Sequence, residues 1–174
     1  MMMSQSPKPL GKGMIIAAWI LLLALLTLFF NDYLEKQHNP NQKLVNQSDT
    51  HKVREVTLQQ NRSGHYVATG TVNGLPVVFL LDTGATIVSI PQAVAERLDL
   101  EPGAPLLAST ANGVVKTYST RLDRVALGPV QVEDVRASIN PSMGGEDILL
   151  GMSFLRQLEF TQRGDSLIIR QYTQ

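Results

Sequence analysis

Two short apolar runs, each followed by a glycine and then by residues with helical spacing, constrain the fold of this chain most. The first occupies residues 77–81 and leads into Asp82-Thr83-Gly84, and the second occupies residues 148–150 and leads into Gly151. An apolar run of this length bounded by turn formers is typical of a strand buried on both faces. We therefore expect a unit of hairpin, buried strand, glycine and short helix to occur twice.

Further strand-like segments surround these two runs. Turn formers separate them at Asn73-Gly74, Ala111-Asn112-Gly113 and Gly128-Pro129. Each of these turns predicts a hairpin between strand-like arms. Pro91 suits the first position of a short helix, and a second short helix is predicted over residues 152–158. The many short strands predict an all-β fold with one or two short helices and exclude a helical or doubly wound fold.

Asp82 lies where the first buried strand ends. A carboxylate in that position is costly unless it is hydrogen-bonded, which indicates a functional role. Asp, Thr and Gly are also common turn residues, so an ordinary strand-to-turn transition accounts for the tripeptide taken by itself.

The N-terminal part contains an apolar stretch over residues 14–30, in which Thr27 is the only polar residue. As a helix it reaches roughly 25 Å, near the lower limit for crossing a bilayer. A cleaved signal peptide is the alternative, but no small-x-small cleavage site follows the stretch. Lys8 and Lys12 precede it and acidic residues follow it, so residues 1–13 are expected in the cytoplasm and the rest outside.

The remaining chain divides into a polar stretch and a folded domain. Residues 31–52 show no sustained apolar period and are predicted to be a tether, and residues 53–174 are predicted to be one domain. The 15 basic and 15 acidic residues leave no net charge, which speaks against a nucleic-acid partner. The chain has no cysteine, and His38, His51 and His65 lack ligand-like spacing, so we expect neither a metal nor another cofactor.

The domain resembles the retropepsin-like aspartic proteases, particularly membrane-anchored bacterial ones. The resemblance rests on Asp82-Thr83-Gly84-Ala85 after its apolar run, on the Asn112-Gly113 hairpin in the position of the flap, and on the later run that ends in Gly151. It implies a closed β-barrel that follows a single transmembrane helix in the inner membrane, with the protease domain in the periplasm. It also implies an endopeptidase that cleaves extended segments of a peptide or protein substrate.

The resemblance implies a role for each of these residues. Such hydrolysis uses two carboxylates that share one proton. Because the second apolar run lacks an Asp-Thr-Gly, Asp82 would meet the same residue of another chain in a two-fold homodimer. Thr83 would hydrogen-bond across the axis, and Gly84 would leave its backbone open to substrate. Ala85, with Asn112 and Gly113 in the flap, would contact the bound peptide.

Two positions depart from the pattern of the viral members of the family. Thr86 and Met152 stand where an acidic residue and an arginine commonly brace the dimer. We therefore expect a weaker dimer, which a membrane anchor would support by raising the effective concentration of the monomers. Two alternatives remain open: an inactive copy of this fold used for peptide binding or dimerisation at the membrane, and an anchored β-domain unrelated to proteases.

Overall fold

The computed structural model describes residues 10–45, 52–110 and 113–172. These residues form three helices and ten strands, with the following bounds: α1 Leu10–His38, β1 Val53–Gln59, β2 Val67–Val72, β3 Leu75–Leu81, β4 Val88–Pro91, α2 Gln92–Arg97, β5 Pro105–Thr110, β6 Gly113–Leu127, β7 Val130–Asn140, β8 Asp147–Leu150, α3 Met152–Leu155, β9 Glu159–Arg163 and β10 Ser166–Tyr172. The chain divides into two units, residues 1–37 and residues 38–174. Each unit is described by itself.

The first unit contains nearly all of helix α1. Within α1, Gly13–His38 is long and apolar enough to cross a membrane, a test that an N-terminal signal sequence also passes. The helix continues past residue 30, where the predicted span ends, so the first part of the predicted tether is helical. Residues 31–38 hold no glycine or proline. An ion pair between Lys36 and Asp32, one turn apart at 2.7 Å, supports this end of the helix.

The second unit is built on a closed barrel of six strands. Its strand order is β2-β3-β8-β4-β7-β6, and the pairing of β2 with β6 closes the ring. Strand β5 extends the sheet beyond β6. Most pairs are antiparallel, but β3 with β8 and β4 with β7 are parallel. The predicted closed, mostly β fold with short helices is confirmed.

The two apolar runs that define the repeated unit are direct neighbours in the barrel. Strand β3 carries the first run and β8 the second, and Leu81 pairs with Leu150 at the ends of both strands. Val77 and Phe79 are buried, whereas Val78 and Leu80, which follow each of them, are only half-buried. Burial on both faces was predicted for this strand, but only Val77 and Phe79 are fully buried, because alternate side chains point to opposite sides of a barrel wall.

The core fills the inside of the barrel. Phe79 and Phe154 are its largest fully buried side chains, and they come from β3 and α3. Helix α3 ends at Leu155 and is followed by turns, so it is shorter than the predicted helix over residues 152–158. Helix α2 begins at Gln92, one residue later than predicted, because Pro91 has an extended ψ of 144° and caps the helix from the end of β4.

A second, three-stranded sheet has the order β1-β10-β9. Arg170, on the central strand, pairs with Glu55 of β1 on one side and lies 3.4 Å from Glu159 of β9 on the other. The hydrogen bond and charge of Glu55 raise the pKa of Arg170 above its ordinary value. One guanidinium therefore links the central strand of the small sheet to both of its neighbouring strands.

The segment between the helix and β1 contributes to the barrel. Asn41 is buried, and its side-chain amide donates to the carbonyl oxygens of Gln59 and Val67 at 2.9 and 2.7 Å. Its side-chain oxygen accepts the Gln59 N–H at 2.8 Å, and its backbone forms a parallel bridge with Ala68. Leu44 packs against the core. Residues 39–45 thus differ from the predicted free tether, because buried hydrogen bonds rather than an apolar pattern hold them.

Candidate active site

Asp82 is held in place by the neighbouring parallel strand. It follows the last residue of β3, and its backbone N–H donates to the carbonyl oxygen of Leu150 at 3.2 Å. The pairing of β3 with β8 therefore continues one residue past the end of β3. Asp82 is half-buried at this edge of the barrel.

The carboxylate of Asp82 shapes the turn that follows it. Its Oδ1 accepts the backbone N–H of Gly84 at 2.8 Å, and the Ala85 N–H donates to the Asp82 carbonyl oxygen at 3.3 Å. A Cβ at Gly84 would lie only 3.2 Å from that Oδ1. Glycine at this position lets the carboxylate rest against the backbone.

A second glycine, Gly151, allows the backbones of the two repeated units to lie close together. A Cβ on Gly151 would lie 2.6 Å from the carbonyl oxygen of Ala85 and 2.5 Å from that of Ile87. Directly after it, the Met152 N–H donates to the Ala85 oxygen at 2.8 Å. The glycine that closes the second apolar run is thus needed for the close approach of the Asp82 turn.

A cavity of about 290 Å³ lies beside this turn. Its lining residues come from several distant parts of the chain: Tyr66, Leu81, Asp82, Thr83, Leu155, Phe160, Gln162 and Leu167. Among these lining residues Asp82 is the only carboxylate. The Tyr66 hydroxyl is buried and has no hydrogen-bond partner among the described residues.

Thr83 is exposed at the edge of this cavity. Within the described ranges the Thr83 hydroxyl makes no hydrogen bond to the rest of its own chain. It is therefore available to hydrogen-bond a molecule that covers the turn.

The hairpin with the predicted flap role is formed by β5 and β6. The two strands pair in antiparallel fashion from Pro105 to Thr110, and Thr110 lies opposite Gly113. Gly113 has a φ of +111°, which side chains rarely allow. Leu107 and Val114 near the end of the hairpin are 79% and 68% exposed. Asn112, together with Ala111, lies outside the described residues.

The structure therefore brings four predicted site residues into one turn and puts another on a separate element. Asp82, Thr83, Gly84 and Ala85 form the turn, and Gly113 belongs to the hairpin. Their catalytic and substrate-binding roles remain predictions.

Six of the eight residues that line the cavity were not predicted as site residues, and three of these give no signal in the sequence. Tyr66, Phe160 and Gln162 line it, and they occur in segments with no motif of their own. The order of strands alone would not have found them, because their meeting depends on how the small sheet packs against the barrel.

The predicted departures at Thr86 and Met152 involve no ion pair among the described residues. Thr86 is exposed, and Met152 is half-buried after Gly151.

His38 is exposed with its Nε2 2.7 Å from the Asp147 carboxylate, and His65 is exposed; His51 lies outside the described residues. The described ranges contain no group of three or more His, Cys, Asp or Glu residues that could hold a metal ion.

Comparison with known proteins agrees with this geometry. The profile of the family described as "gag-polyprotein putative aspartyl protease" matches residues 68–157, which include the Asp82 turn and Gly151. A crystal structure of a retropepsin-like aspartic protease from Rickettsia conorii superposes with a TM-score of 0.56 at 27% sequence identity. The match covers 68% of this chain and 91% of that one.

Two curated relatives also match. One is an uncharacterized protein encoded in the cobV 5′ region of Sinorhizobium sp, 33% identical over 127 residues, or 71% of this chain and 54% of the relative. The other is an uncharacterized protein of Rickettsia prowazekii, 26% identical over 125 residues, or 70% of this chain and 53% of the relative. The chain spans about half the length of the curated relatives it matches.

A closed barrel with an Asp-Thr-Gly turn locked against a hydrophobic-hydrophobic-glycine strand defines the aspartic proteases of the retropepsin type. The chain belongs to this retropepsin-like family of gag-type aspartyl proteases.

Proposed function

We propose that this chain is an aspartic endopeptidase that is active as a homodimer. The observation that carries the proposal is the asymmetry between the two repeated units. The first presents the Asp82 carboxylate, while the corresponding turn after β8 presents Gly151 and Met152. One chain therefore supplies one carboxylate at this place, and two-fold pairing with a second copy supplies the other.

The proposed mechanism uses the two carboxylates on one water molecule. One carboxylate removes a proton from the water, whose oxygen forms a bond to the carbonyl carbon of the substrate. The other carboxyl group donates its proton to the carbonyl oxygen. When the tetrahedral intermediate collapses, the C–N bond breaks, the leaving nitrogen takes the proton that the first carboxylate removed from water, and the second carboxylate regains its proton from a hydroxyl of the intermediate. No metal is needed for these steps.

The hydrogen bond from Gly84 to Asp82 gives this mechanism its geometry. It fixes one carboxylate oxygen at 2.8 Å from a backbone donor, and the other oxygen would face the water and the second copy. The exposed Thr83 hydroxyl would bond across the two-fold axis. The exposed backbone at Gly84 would meet an extended substrate, and the β5–β6 hairpin would close over it and exclude water.

The test compares the full chain in detergent with Asp82→Asn, using an unfolded protein as substrate at several acidic pH values. The control variant is Asp165→Asn, which changes an exposed turn carboxylate. We expect the wild type and the control to cleave and Asp82→Asn to lose at least about a thousand-fold in rate. Equal cleavage by Asp82→Asn would overturn the proposal. Tight peptide binding without cleavage by the wild type would instead favour an inactive peptide-binding module.

We also propose that α1 anchors the protein in the inner membrane, with the barrel on the periplasmic side. The support is the apolar length of Gly13–His38 and the order of charges, with Lys8 and Lys12 before the apolar stretch and Asp32 and Glu35 after it. A reporter enzyme that is active only outside the cytoplasm, fused to the C-terminus, tests this orientation. Reporter activity in intact cells supports the proposal, and activity of a cytoplasmic reporter in its place contradicts it.

A further inference from the structure

A second cavity, of about 330 Å³, shares no lining residue with the Asp82 cavity. Three arginines from three separate parts of the fold line it: Arg121 of β6, Arg136 of β7 and Arg156, which directly follows α3. Glu133, Asp134 and Ser153 line it as well. We call this site the arginine cavity.

Two of the arginines lie directly opposite one another across a strand pair. Arg121 of β6 faces Arg136 of β7 in the antiparallel register. The next opposed pair, Leu122 and Val135, is fully buried, so both arginines project from the outer face of the barrel wall. Like charges directly opposite one another in a sheet are destabilising. A bound anion would offset this cost.

One carboxylate of the arginine cavity holds an arginine in place. Oδ1 of Asp134 lies 2.6 Å from Nε of Arg121. A guanidinium carries five N–H donors, so Arg121 keeps donors for a second anion. Asp134 has a φ of +56°, which residues other than glycine rarely adopt. This backbone exposes both Glu133 and Asp134, although Val132 and Val135 on either side of them are buried.

The base of the arginine cavity is rigid. Ser153 is only 4% exposed. Its hydroxyl donates to the carbonyl oxygen of Arg136 at 2.7 Å and accepts the Val88 N–H at 3.0 Å. These bonds tie β7 to α3 and so fix the backbone positions from which Arg136 and Arg156 extend. Within the described residues Arg136 and Arg156 form no ion pair.

The charges and directions of these groups indicate the kind of ligand. Three guanidinium groups and two carboxylates leave the cavity with a net positive charge. A planar carboxylate is satisfied by the fork of a single guanidinium. Donors that come from three separate elements instead suit a tetrahedral oxyanion, whose oxygens point in several directions.

We propose that the arginine cavity binds a phosphate group, with Arg136 and Arg156 as its main charged contacts and Arg121, held by Asp134, as the third. Two sources carry this chemistry: free inorganic phosphate, and the phosphodiester headgroup of an anionic lipid. The ligand is separate from the peptide substrate proposed for the Asp82 site, so the binding test does not depend on protease activity.

Isothermal titration calorimetry of the full chain in an uncharged detergent tests the proposal. The probes are inorganic phosphate, glycerophosphoglycerol and acetate, each at the same ionic strength in a phosphate-free buffer. We expect at least one phosphate probe to bind at least about ten-fold more tightly than acetate. Tighter binding of inorganic phosphate assigns free phosphate, and tighter binding of glycerophosphoglycerol assigns a lipid headgroup. Binding of neither phosphate probe, or equal binding of acetate, would overturn the proposal.

Substitution of single arginines locates the binding site. Arg136→Gln and Arg156→Gln should each weaken binding of the phosphate probe by at least about ten-fold, because each removes charge-assisted hydrogen bonds. The matched control is Arg62→Gln, which changes an exposed arginine of a turn outside the cavity. Equal affinity of all three variants would show that the phosphate binds elsewhere and would contradict the assignment.

A gain in affinity provides a test that a damaged fold cannot imitate. Glu133 forms no ion pair within the described residues, and its carboxylate repels an anion in the cavity. We expect Glu133→Gln to tighten binding of the phosphate probe by about two- to five-fold. Asp165→Asn, the same change of charge outside the cavity, should leave the affinity unchanged. Unchanged or weaker binding by Glu133→Gln would overturn the placement of the phosphate group.

Discussion

Gly151 and Ala85 lie so close that a side chain on the glycine would collide with the alanine backbone. A Cβ at Gly151 would approach the Ala85 carbonyl oxygen to 2.6 Å, while the next residue, Met152, donates its N–H to that same oxygen at 2.8 Å. The turn that carries Asp82 is thus fixed by a contact to the second repeated unit.

Replacing this glycine should therefore damage both stability and the site. We expect Gly151→Ala to lower the free energy of unfolding by about 1–3 kcal/mol, because two backbone oxygens must move to admit the methyl group. Gly144→Ala is the control, since nothing lies within 4 Å of a Cβ there. Denaturant unfolding measures both variants, and equal stability of the two would contradict the steric argument.

Asn41→Ala tests the contribution of the segment before β1. The substitution leaves the backbone N–H and C=O of Gln59 and the C=O of Val67 without the partner that the amide now provides. We expect the free energy of unfolding to fall by about 2–4 kcal/mol, because buried unsatisfied polar groups are costly. Lys43→Ala, on an exposed side chain of the same segment, should change it by less than about 0.5 kcal/mol. A loss at Asn41 no larger than at Lys43 would show that the segment does not stabilise the barrel.

The position at which the barrel is excised should matter for the same reason. A soluble version that begins at Val53 lacks Asn41 and Leu44, whereas one that begins at Asn39 keeps both. We expect the shorter version to have the lower melting temperature in a thermal unfolding scan, by several degrees. Identical melting temperatures would argue that residues 39–45 only rest on the surface.

Mixed dimers test the need for two aspartates. If each active site takes Asp82 from both copies, an equimolar mixture of wild-type and Asp82→Asn chains that exchange freely should hold only about one quarter wild-type dimers. Activity at constant wild-type concentration should then fall to about half, because half of the wild-type chains are paired with an inactive copy. Activity that does not change on adding Asp82→Asn would show that single chains are sufficient.

The dimer of the soluble domain should be weak. Thr86 and Met152 provide no ionic brace, and a membrane no longer raises the local concentration of the chains. We expect residues 53–174 to sediment as monomers at nanomolar concentration and to dimerise as the concentration rises. A tight dimer at nanomolar concentration would contradict this expectation.

The strands and turns of the barrel were largely predictable because short-range patterns specify them. Asn73 and Gly74 both have positive φ, at 50° and 86°, as a two-residue hairpin requires, and the dipeptide alone predicts this turn. The position of Asp82 at the end of β3 follows from the apolar run before it. These features depend on neighbours along the chain.

The features that escaped prediction depend on contacts between distant segments. The parallel pairing of β3 with β8 joins segments far apart in the sequence, and periodicity does not identify pairing partners. Asn41 is buried by hydrogen bonds, which leave no apolar pattern to detect. Tyr66 and Phe160 meet at the Asp82 cavity only because the small sheet packs there. The tip of the flap hairpin, including Asn112, stays a prediction.

The docking of Asn41 also determines what a single cut can release. A protease that cuts within residues 46–51 severs the backbone but none of the hydrogen bonds that Asn41 makes to Gln59 and Val67. The N-terminal piece that carries the helix would then stay bound to the barrel through these hydrogen bonds. A cut that releases the barrel together with residues 39–45 must fall before Asn39, at the end of the helix.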